Sequence, residues 1–142
     1  MAGWCSGADP CPTQPMNHAI VLLSHGSRDP LWRAPVQAVA ARIAAQKPGR
    51  QVRCAYLELC APSLADAAGQ LVARGATQVT VVPMFLGAGR HVREDLPLLV
   101  QQLRGAHPGV QFDVQAAIGA DPRVTALMAD IACEAPPESK PF

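Results

Sequence analysis

"IVLLSHGSRDP", residues 20 to 30, runs four apolar residues straight into a serine, a histidine, a glycine and a burst of polar groups. The apolar half is too short for a helix and too continuous for a half-exposed strand. It therefore predicts a strand covered on both faces. A second phrase, "VVPMFLGAGRHV" at residues 81 to 92, repeats the design and sets His91 66 positions after His25. Whether the two imidazoles belong to one site depends on how the strands between them are ordered.

Working outward, strand and helix patterns alternate four times. Strands are expected at 19–23, 51–59, 78–85 and 111–118. The first helix carries Trp32, Val36, Val39, Ala40 and Ile43 and stops at "KPG", residues 47 to 49. The second follows Pro62 with Leu64, Ala68, Leu71 and Val72 on one face and ends at Gly75. The third shows Leu96, Leu99, Val100 and Leu103, and the fourth opens with Asp121 as N-cap and Pro122 at its first position, followed by Val124, Leu127, Met128 and Ile131.

A βαβα rhythm with short connections implies a parallel sheet with helices on both faces. Strands 1 and 3 are near-continuous apolar runs, whereas "QVRCAYLEL" and "QFDVQAAI" alternate as edge strands do. The expected fold is a flavodoxin-like open parallel four-stranded α/β sheet of order 2-1-3-4. In such a sheet ligands bind beyond the carboxyl ends of the strands, where the winding reverses, between strands 1 and 3. His25 and His91 then hang over one crevice, and Glu58, at the carboxyl end of strand 2, can reach the same space. Imidazole, carboxylate and imidazole suit a borderline divalent metal such as Co²⁺, Ni²⁺ or Fe²⁺. The bland alternatives are loop or capping histidines and a solvated edge-strand carboxylate. His18 and His107 are expected at the opposite end of the sheet, as surface residues.

Composition narrows the field. The 142 residues are 49% hydrophobic but only 4% aromatic, so the core is expected to be built from Ala, Val and Leu. A net charge of +1 gives no electrostatic case for nucleic acid or an anionic membrane, and no apolar run approaches the roughly 20 residues of a membrane span. Cys5, Cys11, Cys54, Cys60 and Cys133 lack CxxC spacing, which disfavours a disulfide framework or a structural zinc site. Cys54 and Cys133 are expected to be buried small hydrophobes. Residues 1–16 are expected as a disordered tail without a secretory signal, with Met16 an alternative start, 17–134 as one domain, and 135–142 as a flexible tail. A cytoplasmic location is the default.

The phrases "LLSHGSRDP", "YLELCAPSL" and "VVPMFLGAGRHVREDLP" together resemble the three signature regions of the small CbiX/SirB-type class II chelatases, over about residues 17 to 131. The resemblance implies a lyase that inserts Co²⁺ or Fe²⁺ into sirohydrochlorin, in cobalamin or siroheme biosynthesis, with the metal as substrate and no tightly bound cofactor. It assigns His25 and His91 to metal binding and proton handling and Glu58 to the same metal path. It places the tetrapyrrole against Ser24, Gly26, Ser27 and Arg28, against Ala61, and against the loop of Leu86, Gly87, Ala88, Gly89 and Arg90. Ala61 departs from the acidic residue that some relatives carry there. Larger chelatases of this type resemble two such domains facing across a cleft, so a homodimer with facing rims is expected.

Rival activities fit less well. A histidine phosphatase needs an arginine before the histidine, where this chain has Ser24, and the GxSxG of serine hydrolases is absent. A metal or tetrapyrrole carrier without turnover remains the alternative, because it needs the same groups.

Overall fold

The computed structural model describes residues 17–134, so the expected tails and the first two cysteines lie outside the described residues. Strands β1 (His18–Ser24), β2 (Gln51–Tyr56), β3 (Gln78–Pro83) and β4 (Gln111–Val114) form one parallel sheet of order β2-β1-β3-β4. The helices are α1 (Ala34–Gln46), α2 (Leu64–Ala73), α3 (Arg90–Ala106) and α4 (Pro122–Cys133). Short 3-10 turns at Pro30–Arg33 and Ile118–Ala120 precede α1 and α4. The expected order holds because the two most apolar strands take the two positions with neighbours on both sides.

Alternation along β1 divides the core in two. Ala19, Val21 and Leu23 face α2 and α3, where they join Leu71, Val81, Val100 and Phe112 in the larger cluster. Leu22 faces α1 with Val36, Tyr56 and Val82. Ser63 caps α2, its hydroxyl accepting from the Asp66 N–H at 3.1 Å, and this orients the helix so that Leu64, Ala68 and Leu71 are buried.

Several boundaries and environments differ from expectation. Regular β2 ends at Tyr56, β3 at Pro83 and β4 at Val114, because the chain turns into site loops where the apolar text continues. Leu59, inside the expected second strand, has φ 69°, outside the strand region. Helix α4 buries none of its residues: Leu127, Met128 and Ile131 are exposed, so its expected core face meets no layer among the described residues. Cys133 is exposed rather than buried, whereas Cys54 is half-buried and its burial pushes the thiol up, as for an inert core thiol. Among the described residues no helix is long and apolar enough to cross a membrane.

His18 and His107 do sit away from the rim, but neither is a plain surface residue. His107 is half-buried against Phe112, with ring centroids 6.0 Å apart, and His18 Nε2 lies 2.6 Å from Thr80 Oγ1. Burial, then the Arg50 charge, lowers the His18 pKa below 6.5 against a smaller opposing pull from Asp113. The unfolded chain thus binds this proton more readily, and its contribution to stability falls as pH drops through 6.5 towards the folded value. Denaturant unfolding of the parent at pH 7.5 and at pH 5 should show a larger loss than the same pair of measurements on His18→Gln.

Candidate functional site

At the carboxyl end of β1 the buried Ser24 passes into Gly26, at φ 103°. Pairing with the second segment continues beyond the regular strands. The Leu57 N–H donates to the Ser24 carbonyl and the Glu58 N–H to the His25 carbonyl, each at 3.0 Å. These two bonds pin Glu58 beside His25, although Glu58 has left β2. Gly26 permits the approach: a Cβ there would overlap the Glu58 carbonyl oxygen, and the positive φ independently disfavours a side chain.

The His25 ring packs on Phe85, with centroids 4.5 Å apart and planes at 47°. Packing rather than hydrogen bonding fixes this imidazole, since its side chain has no hydrogen-bond partner among the described residues. His91 is the second residue of α3, whose N-cap Gly89 offers no side-chain cap. The helix therefore presents its unsatisfied first-turn N–H groups and positive end to the rim.

His25, Glu58 and His91 all line one cavity of about 670 Å³. The sequence-derived crevice is thus present, with all three side chains on it. They do not form a ready cage: among the described residues no three His, Cys, Asp or Glu side chains are grouped to hold an ion. The three-ligand set implied by the resemblance is therefore not assembled in this structure.

The remaining expected residues divide. Ser24 lines a smaller cavity of about 300 Å³ on the α1 side, which His25 also borders. Ala88 lines a third, apolar cavity of about 570 Å³ between α3 and β4, as does Arg93, and that cavity holds no imidazole or carboxylate. Leu86, Gly87, Gly89, Arg28 and Ala61 are exposed, and none of them lines any of these three cavities. Ser27 serves its own turn, its hydroxyl accepting from the Asp29 N–H at 3.0 Å. Arg90 is paired with Glu94 at 3.1 Å in an exposed i,i+4 bridge.

Sequence reasoning missed Asp95 and Gln102, which line the same cavity as the histidines. The signal was available: Asp95 lies four residues after His91 on a helix, hence on the same face. It also missed the Phe85 support for His25, which depends on how two loops meet.

A parallel sheet with its imidazoles at the carboxyl-end rim places this chain among the chelatase-like α/β folds. Residues 19–135 match the CbiX family, and the chain belongs to that family. The CbiX protein of Marinobacter aquaeolei VT8 superposes with a TM-score of 0.72 at 36% identity, covering 81% of this chain and 93% of that one. The sirohydrochlorin chelatase SirB of Bacillus subtilis subspecies spizizenii, solved in complex with cobalt, gives a TM-score of 0.67 at 27% identity, over 82% of this chain and 51% of that one. The sirohydrochlorin cobaltochelatase of Methanopyrus kandleri is 33% identical over 82 residues, 58% of this chain and 57% of its own length. That of Sulfurisphaera tokodaii is 28% identical over 113 residues, 78% of this chain and 88% of its own.

Because Gly26 seats two loops against each other, Gly26→Ala should destabilise the protein by about 2 kcal/mol or more, measured by denaturant unfolding. Gly69→Ala, in α2 where a Cβ meets nothing within 4 Å, should instead stabilise it by about 0.5–1 kcal/mol.

Proposed function

We propose that this protein is a cytoplasmic chelatase that inserts a divalent metal, Co²⁺ first and Fe²⁺ next, into sirohydrochlorin. The observation that carries this reading is the shared cavity of His25, Glu58 and His91 beneath an exposed apolar rim. Leu31, Leu59 and Leu86 follow the carboxyl ends of three successive strands in space and are 79%, 51% and 70% exposed. A flat macrocycle gives such residues something to cover. Arg28 and Arg90, exposed in the site loops, and the uncapped start of α3 suit the carboxylate fringe of the tetrapyrrole.

Metallation needs the ion to shed water and two pyrrole protons to leave as the metal–nitrogen bonds form. An imidazole titrates near neutrality, so the same ring can ligate an ion or accept a proton at cellular pH. In this mechanism His25 and His91 hold the metal at the ring face, and as the ion passes to the pyrrole nitrogens, the imidazole nitrogens it vacates take up the two pyrrole protons. Glu58 supplies charge for metal capture or passes a proton to solvent. The divalent ion enters as substrate and leaves in the product.

One domain provides one wall, and a second copy supplies the other across a twofold axis with the histidine rims facing. Helix α4 supports this arrangement, because it starts near the rim and exposes Leu127 and Ile131, 59% and 58% accessible.

Single-turnover metallation, followed by absorbance, should slow about 100-fold or more in His25→Ala and in His91→Ala. Parental rates in both would remove the mechanism. Binding of metal and tetrapyrrole without repeated turnover would favour the carrier reading instead. Sedimentation velocity should show a dimer, and the double variant Leu127→Glu, Ile131→Glu a monomer with reduced activity.

A further inference from the structure

His25 stands between two cavities of different chemistry. It borders the 670 Å³ space on the α3 side and the 300 Å³ space on the α1 side. The first is lined by the carboxylates of Glu58 and Asp95, whereas the second has no Asp, Glu, Lys or Arg among its lining residues. Trp32, Val36, Val39, Met84 and Phe85 form most of its wall. A carboxylate-rich ligand is repelled by the first space and meets apolar and aromatic surface in the second.

Trp32 is the member of that wall which the fold alone does not account for. Val36 and Phe85 are buried beneath, but Trp32 is left 40% exposed, with the exposed Val39 beside it. The local sequence fixes the indole at this lip. The Ser27 hydroxyl accepts from the Asp29 N–H, and the Asp29 carboxylate accepts from the Leu31 N–H at 2.9 Å. The Trp32 N–H then donates to the Asp29 carbonyl at 3.1 Å, and Pro30 restricts the turn further. Behind the indole stands Tyr56, only 2% exposed, with ring centroids 6.3 Å apart and planes at 59°. A large aromatic braced on one side and open on the other gains from a flat ligand that completes its burial.

Volume limits how much of a ligand enters. A space of about 300 Å³ lies at the lower end of small-molecule sites, so four linked pyrrole rings cannot enter it whole, while one edge can.

We propose that the macrocycle lies to the α1 side of His25 with one edge in the 300 Å³ cavity, and that Trp32 is a tetrapyrrole-binding residue packed against that edge. The assignment rests on the chelatase reading for its ligand, but it makes a claim of its own about which side of the rim receives the ring.

The test is titration of metal-free sirohydrochlorin into the full-length protein, followed by absorbance, with KM measured separately for the tetrapyrrole and for Co²⁺. Trp32→Leu should weaken sirohydrochlorin binding about tenfold and raise its KM in step, with the Co²⁺ KM close to parental. Trp32→Phe should recover most of the affinity. Val39→Glu, which sets a carboxylate at the lip, should weaken binding by a similar factor while Val39→Lys does not. Gln46→Glu, exposed at the far end of α1, should have no effect. Parental sirohydrochlorin affinity in a folded Trp32→Leu overturns the assignment, as does a rise confined to the Co²⁺ KM. If Trp32→Leu loses its cooperative unfolding transition, the two Val39 variants decide, and equal affinities in them overturn it. A parent that binds sirohydrochlorin through Trp32 yet forms no metallated product leaves this seat standing and removes the chelatase reading. A parent that binds no sirohydrochlorin removes both.

Discussion

The position of β1 between β2 and β3 is the constraint from which the site follows. Parallel pairing on both edges levels the carboxyl ends of three strands, so the loops that leave them share one rim. The backbone then carries the pairing past the strands, through Leu57 to Ser24, Glu58 to His25, Met84 to Leu23 and Gly119 to Phe85. Site residues are thus tied to the ladder by main-chain bonds rather than by one another. This explains how exposed side chains such as His25, Glu58 and His91 stay gathered around one space without a hydrogen bond among them.

Fold and site use the same apolar inventory differently. Below the rim, Val, Leu and Ala fill two layers, and a single phenylalanine, Phe112, anchors the far edge at 1% exposure. At the rim, Leu31, Leu59 and Leu86 are left uncovered beside the exposed Arg28 and Arg90, while Glu58 and Asp95 line the cavity of the two histidines.

Much of this was legible in the chain. Continuous apolar text in "AIVLL" and "VTVVP" identified the central strands, because a strand covered on both faces has no reason to alternate. That order alone brought His25 and His91 to one crevice. What escaped was set by tertiary contact. The strands end earlier than their apolar text because Leu57, Met84 and Phe85 serve the loops and their packing. The apolar stripe of α4 reads as a core face, and periodicity cannot tell whether the described residues offer it a surface to cover. The Cys133 expectation failed for the same reason. Asp95 was visible as an i+4 partner of His91, but the run "RHVRED" also reads as a solvated charge pattern, and only the shape of the cavity separates the two.

The close approach at Gly119 has a mechanical consequence. A Cβ at that position would collide with the Leu86 backbone, so the segment leading into α4 rests directly on the loop that leads to His91. With so little slack between them, a rotation of α4 has to be absorbed by Leu86 and its neighbours. Whatever seats α4 thereby also sets the height of the loop that leads to His91.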